Sequence, residues 1–457
     1  MRMIWCRTAL RRWGTVGAAV VTAAAVLALA LLQVPASSGR SQALPFLATQ
    51  LDRLHPPAGA QGFPAFARHI VTEAGHPMPV WRYWLLADEL TRYFGDAHTL
   101  LWPIRTDHQL PLAFYWVQGG LVVLPLSGAP RAVKAGDAVL TMGGQNPSQI
   151  AATLSRLISG NRYWVRVQGR ALLSTAYGLH WLHLLGRHNQ VSLTLQRPNG
   201  TVYHVRVSLL HVSKAYATTA QTVVDRFIQR FRAPVSTVPS FSEHGRGAFF
   251  SWGIARDGQS GVFVLGTCVD DAAYRHAVQQ FFTTMQAHHI PRAVIDLQEN
   301  LGGNSAVLEP LLQALPAPPG VVVHGYGGSR QVFSALSGGH PYQGHVYVLT
   351  SWSTFSSAVM GADVLAANRL ATLVGQPTGL APSALGEVKF IHVPDSPFIA
   401  QVSTTYFQAP DHPNATSLVP RISVPLTLAD VQTGVNPIAR WLASLVAPKD
   451  EPPPLAS

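Results

Sequence analysis

Cysteine is nearly absent from this chain, and charge is scarce. Two cysteines in 457 residues, Cys6 and Cys268, cannot form a disulfide framework. Cys6 precedes an apolar run and stays on its cytoplasmic side, so the two never meet. No Cys-x-x-Cys, no His/Cys ligand spacing and no His-Glu-x-x-His pattern occurs among the 19 histidines; neither a metal nor a cofactor is expected. Charged residues make up only 12%, and no acidic residue precedes Asp52. Basic residues outnumber acidic ones by 33 to 22, but four of them (Arg2, Arg7, Arg11 and Arg12) fall in the first twelve positions. Without residues 1–36 the balance is 29 against 22, or +7. Those cations are scattered, with no Lys/Arg run and no interleaved aromatics, which excludes a nucleic-acid face. No internal repeat is present.

What the chain has is apolar mass. A hydrophobic content of 47% excludes a largely disordered protein, and the length suits two or three domains of roughly 100–200 residues each. Residues 14–32 are free of charge and follow arginines, the positive-inside arrangement of a membrane span or secretion signal. At about 1.5 Å per residue this run can cross the hydrocarbon layer, while Val34-Pro35-Ala36 offers small residues for cleavage. A retained anchor and a cleaved signal peptide both stay open. Either sends the remainder out of the cytoplasm, to a periplasmic, cell-surface or secreted location.

A polar linker near 36–42 precedes a region at 43–106 that reads as helical, with apolar spacings of three and four along Trp81–Phe94. From 107 to 210 short β-branched runs alternate with turn signals: Gly120–Pro125, Ala138–Met142 before Gly143-Gly144, and Val191–Leu195 before Asn199-Gly200. A helix is expected at Ile150–Ile158. Residues 211–247, with Pro234 and Pro239, read as a connecting segment. From 248 to 447 strands alternate with helices: Gly261–Leu265, Ala273–Ala287, Arg292–Leu297, a helix near 305–315, Val346–Thr350, a helix at about 356–367, and Leu370–Val374. That order predicts an α/β domain with parallel pairing. The proline-rich end, 448–457, reads as a disordered tail.

Three segments carry possible chemistry. In Val346-Tyr-Val-Leu-Thr-Ser-Trp-Ser-Thr-Phe-Ser-Ser-Ala a buried strand ends in a hydroxyl-rich turn and a helix begins. A serine there could attack a carbonyl while unpaired N–H groups of the first helical turn hold the oxyanion; it could equally be a plain N-cap. In Asp296-Leu-Gln-Glu-Asn-Leu-Gly-Gly-Asn adjacent glycines after a strand let backbone amides approach a ligand, or simply turn the chain. In Gly95-Asp96-Ala97-His98-Thr99 an imidazole beside a carboxylate could serve as a general base.

Taken in order, these segments resemble the S41 peptidases, the C-terminal processing or tail-specific family. That family's Asp-Leu-Arg-x-Asn-x-Gly-Gly loop, serine-rich turn and Gly-Glu-x-Thr-x-Gly segment are matched by Asp296–Gly303, Thr354-Phe-Ser-Ser-Ala and Gly375-Gln-Pro-Thr-Gly. Asp96-Ala-His-Thr resembles the Asp-Gly-His-Thr element of the branch containing tricorn protease and interphotoreceptor retinoid-binding protein. Tyr406-Phe-Gln-Ala-Pro-Asp and Val419-Pro-Arg-Ile echo the family's final stretch, and Gly136-Asp137 matches a turn of its PDZ-like module. The likeness spans roughly 80–430.

The resemblance implies an α/β, crotonase-like (ClpP/crotonase) catalytic core, a PDZ-like β-rich module and a small N-terminal helical region. It implies a serine peptidase acting on peptide or protein substrates, with Ser356 as nucleophile and His98 as base. The oxyanion hole would come from Ser357 with Gly302 or Gly303, and Asp96 and Asn300 are supporting candidates. Two departures stand out. The lysine base of the tail-specific branch is replaced by Ala381, with the nearest lysine, Lys389, displaced onto a following strand. The glutamate that supports the histidine in the tricorn-type branch falls at Asn414-Ala415-Thr416, where no carboxylate exists. The alternative reading is therefore a catalytically degenerate binding or scaffold protein.

Overall fold

The computed structural model describes residues 40–445, except 58–59, 103–107, 213, 232–248, 256–257, 318–320, 326–328, 334–340, 397 and 410. The expected signal or anchor at 1–36, Cys6 and the tail at 448–457 lie outside the described residues. Within them, no helix is long and apolar enough to cross a membrane.

Three helices come first: α1 (Arg40–Leu54), α2 (Phe63–Ala74) and α3 (Val80–Arg92). Phe63, Ala67 and Ile70 of α2 are buried at spacings of four and three, and Tyr83, Trp84, Ala87, Leu90 and Thr91 repeat the stripe in α3. α1 starts inside the stretch read as a polar linker. Its buried face of Ala43, Leu44, Leu47 and Leu51 draws the preceding polar residues into the first turn.

A short strand, β1 (Leu100–Leu101), leaves this region, followed by β2 (His108–Gln109), β3 (Leu112–Val117), β4 (Gly120–Pro125) and β5 (Asp137–Met142). Next come α4 (Pro147–Leu157), α5 (Arg162–Leu172), α6 (Ala176–Trp181), β6 (Gln190–Gln196), β7 (Val202–Ser208) and β8 (Leu210–His211). Strands β3 to β7 form one antiparallel sheet in sequence order. The expected helix after β5 is present, started by a reciprocal Asn146–Gln149 cap with Pro147 in its first turn. Helices α5 and α6 interrupt the strand pattern where none was expected. Gly169 weakens the helix signal of α5, yet a Cβ there would lie 2.6 Å from Leu154 of α4, so its absence lets the two helices touch. Helix α7 (Lys214–Gln229) lies within 211–247, the stretch read as a connecting segment, where no helix was expected. Its Val224, Phe227 and Ile228 pack with Val122 and Leu124 of β4, and it ends before the prolines that dominated that reading.

The second half comprises β9 (Phe250–Ile254), β10 (Ser260–Leu265), α8 (Ala272–Ala287), β11 (Arg292–Asp296), α9 (Leu308–Ala314) and the hairpin β12 (Val321–Gly325) and β13 (Ser329–Phe333). It continues through β14 (His345–Thr350), α10 (Ser357–Ala367), β15 (Thr372–Gly375), β16 (Ala384–His392), β17 (Ile399–Phe407), β18 (Ile422–Ser423), α11 (Leu428–Thr433) and α12 (Pro437–Ser444). Six strands pair in the order β18-β15-β14-β11-β10-β9, all parallel except β9. Every residue of β11 is buried, as suits a central parallel strand covered on both faces. Alternation along β14 shows the two faces. Val346 and Val348 join the core with α8, α9 and α10, whereas Tyr347 and Leu349 join Ile438 and Leu442 of α12.

This α/β core with a β-rich module is the expected fold class. Strands β11 and β14 are adjacent and parallel, so their carboxyl ends release the glycine loop and the serine turn side by side. The front of the chain reaches them through a second sheet, β1-β17-β16, in which Leu100 faces Gln401 and Leu101 faces Ala400.

Candidate active site

The serine turn begins where β14 ends, and most of its hydroxyls are committed to backbone. Ser351 Oγ donates to the Gln298 carbonyl, Thr354 Oγ1 to the Leu297 carbonyl at 2.8 Å, and Ser357 Oγ to the Gly303 carbonyl at 2.7 Å. Ser356 differs. It occupies the N-cap position of α10 with φ 53° and ψ −129°, and its side chain makes no capping bond. An ordinary cap has extended backbone and a bonded side chain. A non-glycine residue at this φ and ψ costs about 1–3 kcal/mol and persists only where its surroundings enforce it. The hydroxyl thus stands free at the positive end of an eleven-residue helix.

The enforcing neighbour is the glycine loop. A Cβ on Gly302 would lie 2.5 Å from the Ser356 Cβ and 3.0 Å from the Ser357 nitrogen. With its φ of +97°, this position admits glycine for both conformation and space. Asn300, fully buried, ties the loop down. Its Nδ2 donates to the Leu265 carbonyl at 2.8 Å, its Oδ1 accepts from the Gly302 N–H at 2.8 Å, and its carbonyl accepts from the Phe355 N–H at 3.0 Å. Cys268 holds the other side: its N–H donates to the Gly302 carbonyl and its carbonyl accepts from Asn304. Burial pushes the Cys268 thiol up to about 12, so it is a neutral donor to Asn300 Oδ1 and not a nucleophile. Because Asn300 takes the Gly302 amide, the expectation of Gly302 or Gly303 as oxyanion donor narrows to Gly303, beside the Ser357 N–H.

The histidine loop arrives from the far end of the chain. Gln401 Nε2 donates to the His98 carbonyl at 2.8 Å, and the Ser403 N–H donates to Thr99 Oγ1 at 3.0 Å. Asp96 is buried and accepts from the His98 backbone N–H at 2.9 Å, from Thr99 Oγ1 at 2.6 Å and from Ser403 Oγ. The carboxylate therefore fixes the loop's backbone and makes no hydrogen bond to the imidazole. His55 stacks on Phe94 at 3.9 Å, with Nε2 3.9 Å from Asp96 Oδ2.

The His98 ring is buried against Phe355, centroids 4.6 Å apart, immediately before Ser356. Phe355 is stacked on its other neighbour, Trp164 of α5, at 3.7 Å and 14°. Neither His98 ring nitrogen has a well-formed hydrogen bond, so no bond to Ser356 Oγ is made. Burial lowers the His98 pKa below 6.5, outweighing the Asp96 charge and the nearby Leu385 carbonyl, which raise it. The imidazole is thus neutral at neutral pH and able to accept a proton.

The fold brings Ser356, Ser357, Gly302, Gly303, Asn300 and, through Phe355, His98 into one region. Lys389 is exposed on β16, opposite Val402. Thr416 offers its carbonyl to Asn161 Nδ2 at 2.8 Å, and His412 is engaged with Asp363 at 2.8 Å. Sequence reasoning missed the contributions of Trp164, Cys268, Leu385 and Ser403. Only Ser403 carries a hint, as a buried polar residue in an alternating strand.

Residues 263–418 match the model of peptidase family S41. The glycine loop and Ser356 lie inside that segment, and His98 lies outside it. The structure of mature CPAF complexed with lactacystin is similar with a TM-score of 0.66 at 15% identity, covering 89% of this chain and 97% of that one. Mature CPAF alone gives 0.63 at 16% identity, covering 88% and 95%. These likenesses show a shared fold over nearly the whole chain. No curated protein matches the chain in sequence.

Proposed function

The chain belongs to peptidase family S41, serine-type hydrolases, through residues 263–418, and from that premise we propose that it cleaves peptide bonds through an acyl-enzyme on Ser356. The neutral His98 imidazole takes the proton from Ser356 Oγ as the oxygen attacks the scissile carbonyl carbon. The resulting oxyanion is held by the N–H groups of Ser357 and Gly303. His98 then gives the proton to the departing amine as the C–N bond breaks. Water, deprotonated by the same imidazole, hydrolyses the acyl-enzyme and restores Ser356. The Leu385 carbonyl stands in for the missing carboxylate, an acceptor able to set the ring tautomer.

One observation carries this reading. Ser356 holds a strained backbone and an unbonded hydroxyl where its neighbours have spent theirs on structure. The missing hydrogen bond between His98 and Ser356 is consistent with a free enzyme, because catalytic hydrogen bonds often tighten only on substrate binding. It also motivates the rival reading, a binding or scaffold protein that keeps the fold without turnover. The charge-free run at 14–32 behind four arginines supports an extracytoplasmic place of action, either anchored or after cleavage.

A fluorophosphonate probe separates the readings. Covalent labelling of the folded protein, abolished in Ser356→Ala, is expected of the peptidase. A folded protein that takes no label would leave the scaffold. Only proline would remove the Gly303 N–H, and its ring cannot adopt the φ of 137° found there, so the oxyanion donors are better tested through turnover of a peptide ester and its thionoester, whose sulfur bonds poorly to N–H groups.

A further inference from the structure

A second buried histidine stands behind the histidine loop. His55 follows α1 directly, its side chain has no exposed surface, and its ring lies on that of Phe94. Its Nδ1 is 2.9 Å from the Pro56 carbonyl oxygen. A carbonyl can only accept, so Nδ1 carries the hydrogen, and in the neutral ring Nε2 carries the lone pair. Nε2 lies 3.9 Å from Asp96 Oδ2, one acceptor beside another, and has no hydrogen-bond partner among the described residues. Asp96 already accepts from three donors: the His98 N–H on Oδ1, and Thr99 Oγ1 and Ser403 Oγ on Oδ2. A carboxylate has about four lone-pair sites, so room for one more donor remains.

This arrangement is unfavourable while the ring is neutral and favourable once it is charged. A proton on Nε2 turns the two facing acceptors into a charge-assisted donor and a carboxylate, which need to close by about 1 Å to hydrogen-bond. The His98 ring lacks that option. Asp96 is bonded to its backbone N–H, while the ring itself is buried against Phe355. The charge acting on His55 is that of Asp96, and the same charge acts on His98. The other elements around this seam present uncharged groups: α2 sets Phe63 against Phe94, and β17 supplies Ser403. Two imidazoles therefore compete for one buried carboxylate, and the geometry favours His55.

We propose that His55 is a positioning residue for the base: in acid it takes the first proton, on Nε2, pairs with Asp96, and so withholds from His98 the negative charge that would draw a second proton onto that ring. The proton comes from solvent, and an N–H bond on His55 is all that forms. While His55 holds it, the His98 imidazole stays neutral and able to accept the Ser356 proton. Without His55 the Asp96 charge would act on His98 alone, and the base would be lost at a higher pH. The consequence for turnover rests on the peptidase reading, whereas the order of protonation does not.

The test follows the histidine ring nitrogens of the full chain by nitrogen-15 NMR from neutral pH into acid, with signals assigned through single variants. His55→Asn keeps a donor near the position of Nδ1, and His55→Phe keeps a ring on Phe94; neither binds a proton. In the native chain His55 should be protonated on Nδ1 when neutral and should charge before His98. In both variants His98 should charge at a pH higher by about one unit, the lower end of what a nearby charge does. The acid limb of fluorophosphonate labelling should move by the same amount, with the rate at neutral pH unchanged. A purely structural His55 would instead lower the rate at every pH and leave the limb in place. His98 charging first in the native chain, or an unmoved His98 titration in both variants, overturns the proposal. Tautomer and order are read on the native chain, so they decide the matter even where a variant fails to fold. A His98 titration that moves as expected in a chain whose Ser356 takes no label sinks the peptidase reading and keeps the coupling.

Discussion

Ser356 and His98 each give up an ordinary stabilising interaction. Ser356 forgoes a cap worth about 1 kcal/mol and carries positive φ, while His98 keeps two buried ring nitrogens without well-formed hydrogen bonds. For the imidazole the sign of the effect is fixed by burial. Its folded pKa lies below 6.5, so the neutral, proton-accepting form persists further into acid than that of an exposed histidine. The rate of fluorophosphonate labelling should therefore stay level as pH falls to 6.5 and decline only below it. An acid limb at 7 or above would mean that a buried negative charge faces the ring, and His98 would not be the base described. His98→Gln should remove the limb and slow labelling by about 10²–10⁴, the range for a lost general base. The adjacency of Asp96 and His98 was plain in the sequence, but its use was not. An aspartate two residues before a histidine can reach either the ring or the backbone N–H, and the chain chose the latter because Thr99 and Ser403 claim the remaining oxygen.

Helix α5 packs its aromatic rings against the serine turn, and it is the element that local sequence concealed. Its N-cap Asn161 accepts from the Tyr163 and Trp164 amides and donates to the Thr378 carbonyl at 3.0 Å, fastening the helix to the segment behind the turn. Tyr163 lies 5.6 Å from Trp352, and Trp164 covers Phe355. Trp164 is buried, so Trp164→Ala should destabilise the fold by about 3–5 kcal/mol as read by urea denaturation. Because Phe355 separates it from His98, the same variant should also slow labelling in the fraction that remains folded. Trp164→Phe, which keeps a ring on Phe355, should recover most of the labelling rate; a rate unchanged in Trp164→Ala would deny the helix any part in positioning. Strands β10, β11, β14 and β15 and helices α8, α9 and α10 were legible because their apolar runs are long and their breaks are sharp, as in β11, where all five residues are buried; β9, β12, β13 and the elements from β16 onward were not read. Helix α5 was not legible, because Tyr163, Trp164, Val165 and Val167 favour strands and Gly169 weakens the helix signal for the sake of a close helix contact. Helix α7 was overshadowed by nearby prolines, although its Val224, Phe227, Ile228 pattern packs as a helix face.

Across the whole molecule the candidate site is assembled from chain ends that sequence alone cannot join. Strand β1 pairs with β17, Gln118 exchanges backbone bonds with Leu426 and Leu428, and Asn161 bonds to Thr416. The cores interlock in the same way. Trp352 and Val402 belong to the core of the front helices and β-rich sheet, while Ala97 and Trp164 belong to that of the α/β sheet. Neither half can close its core alone, so unfolding should be cooperative. Far-ultraviolet dichroism and tryptophan fluorescence should give coincident urea transitions, as in a two-state equilibrium; two separated midpoints would mean that the halves are independent. Acid acts on that single midpoint in two senses: burial raises the carboxyls of Asp88, Glu89 and Asp363, which therefore favour the folded chain as pH falls, whereas two histidines oppose them. His55 and His98 both have folded pKa values below 6.5, chiefly through burial, so at these two rings the unfolded chain binds more protons than the folded one. Their contribution to stability is complete above the unfolded value of 6.5 and is lost as pH falls from there towards the folded values. His98→Gln should therefore move the midpoint upward at pH 5 relative to pH 7 when compared with the native chain, and an identical pH response in that variant would deny His98 any part in it.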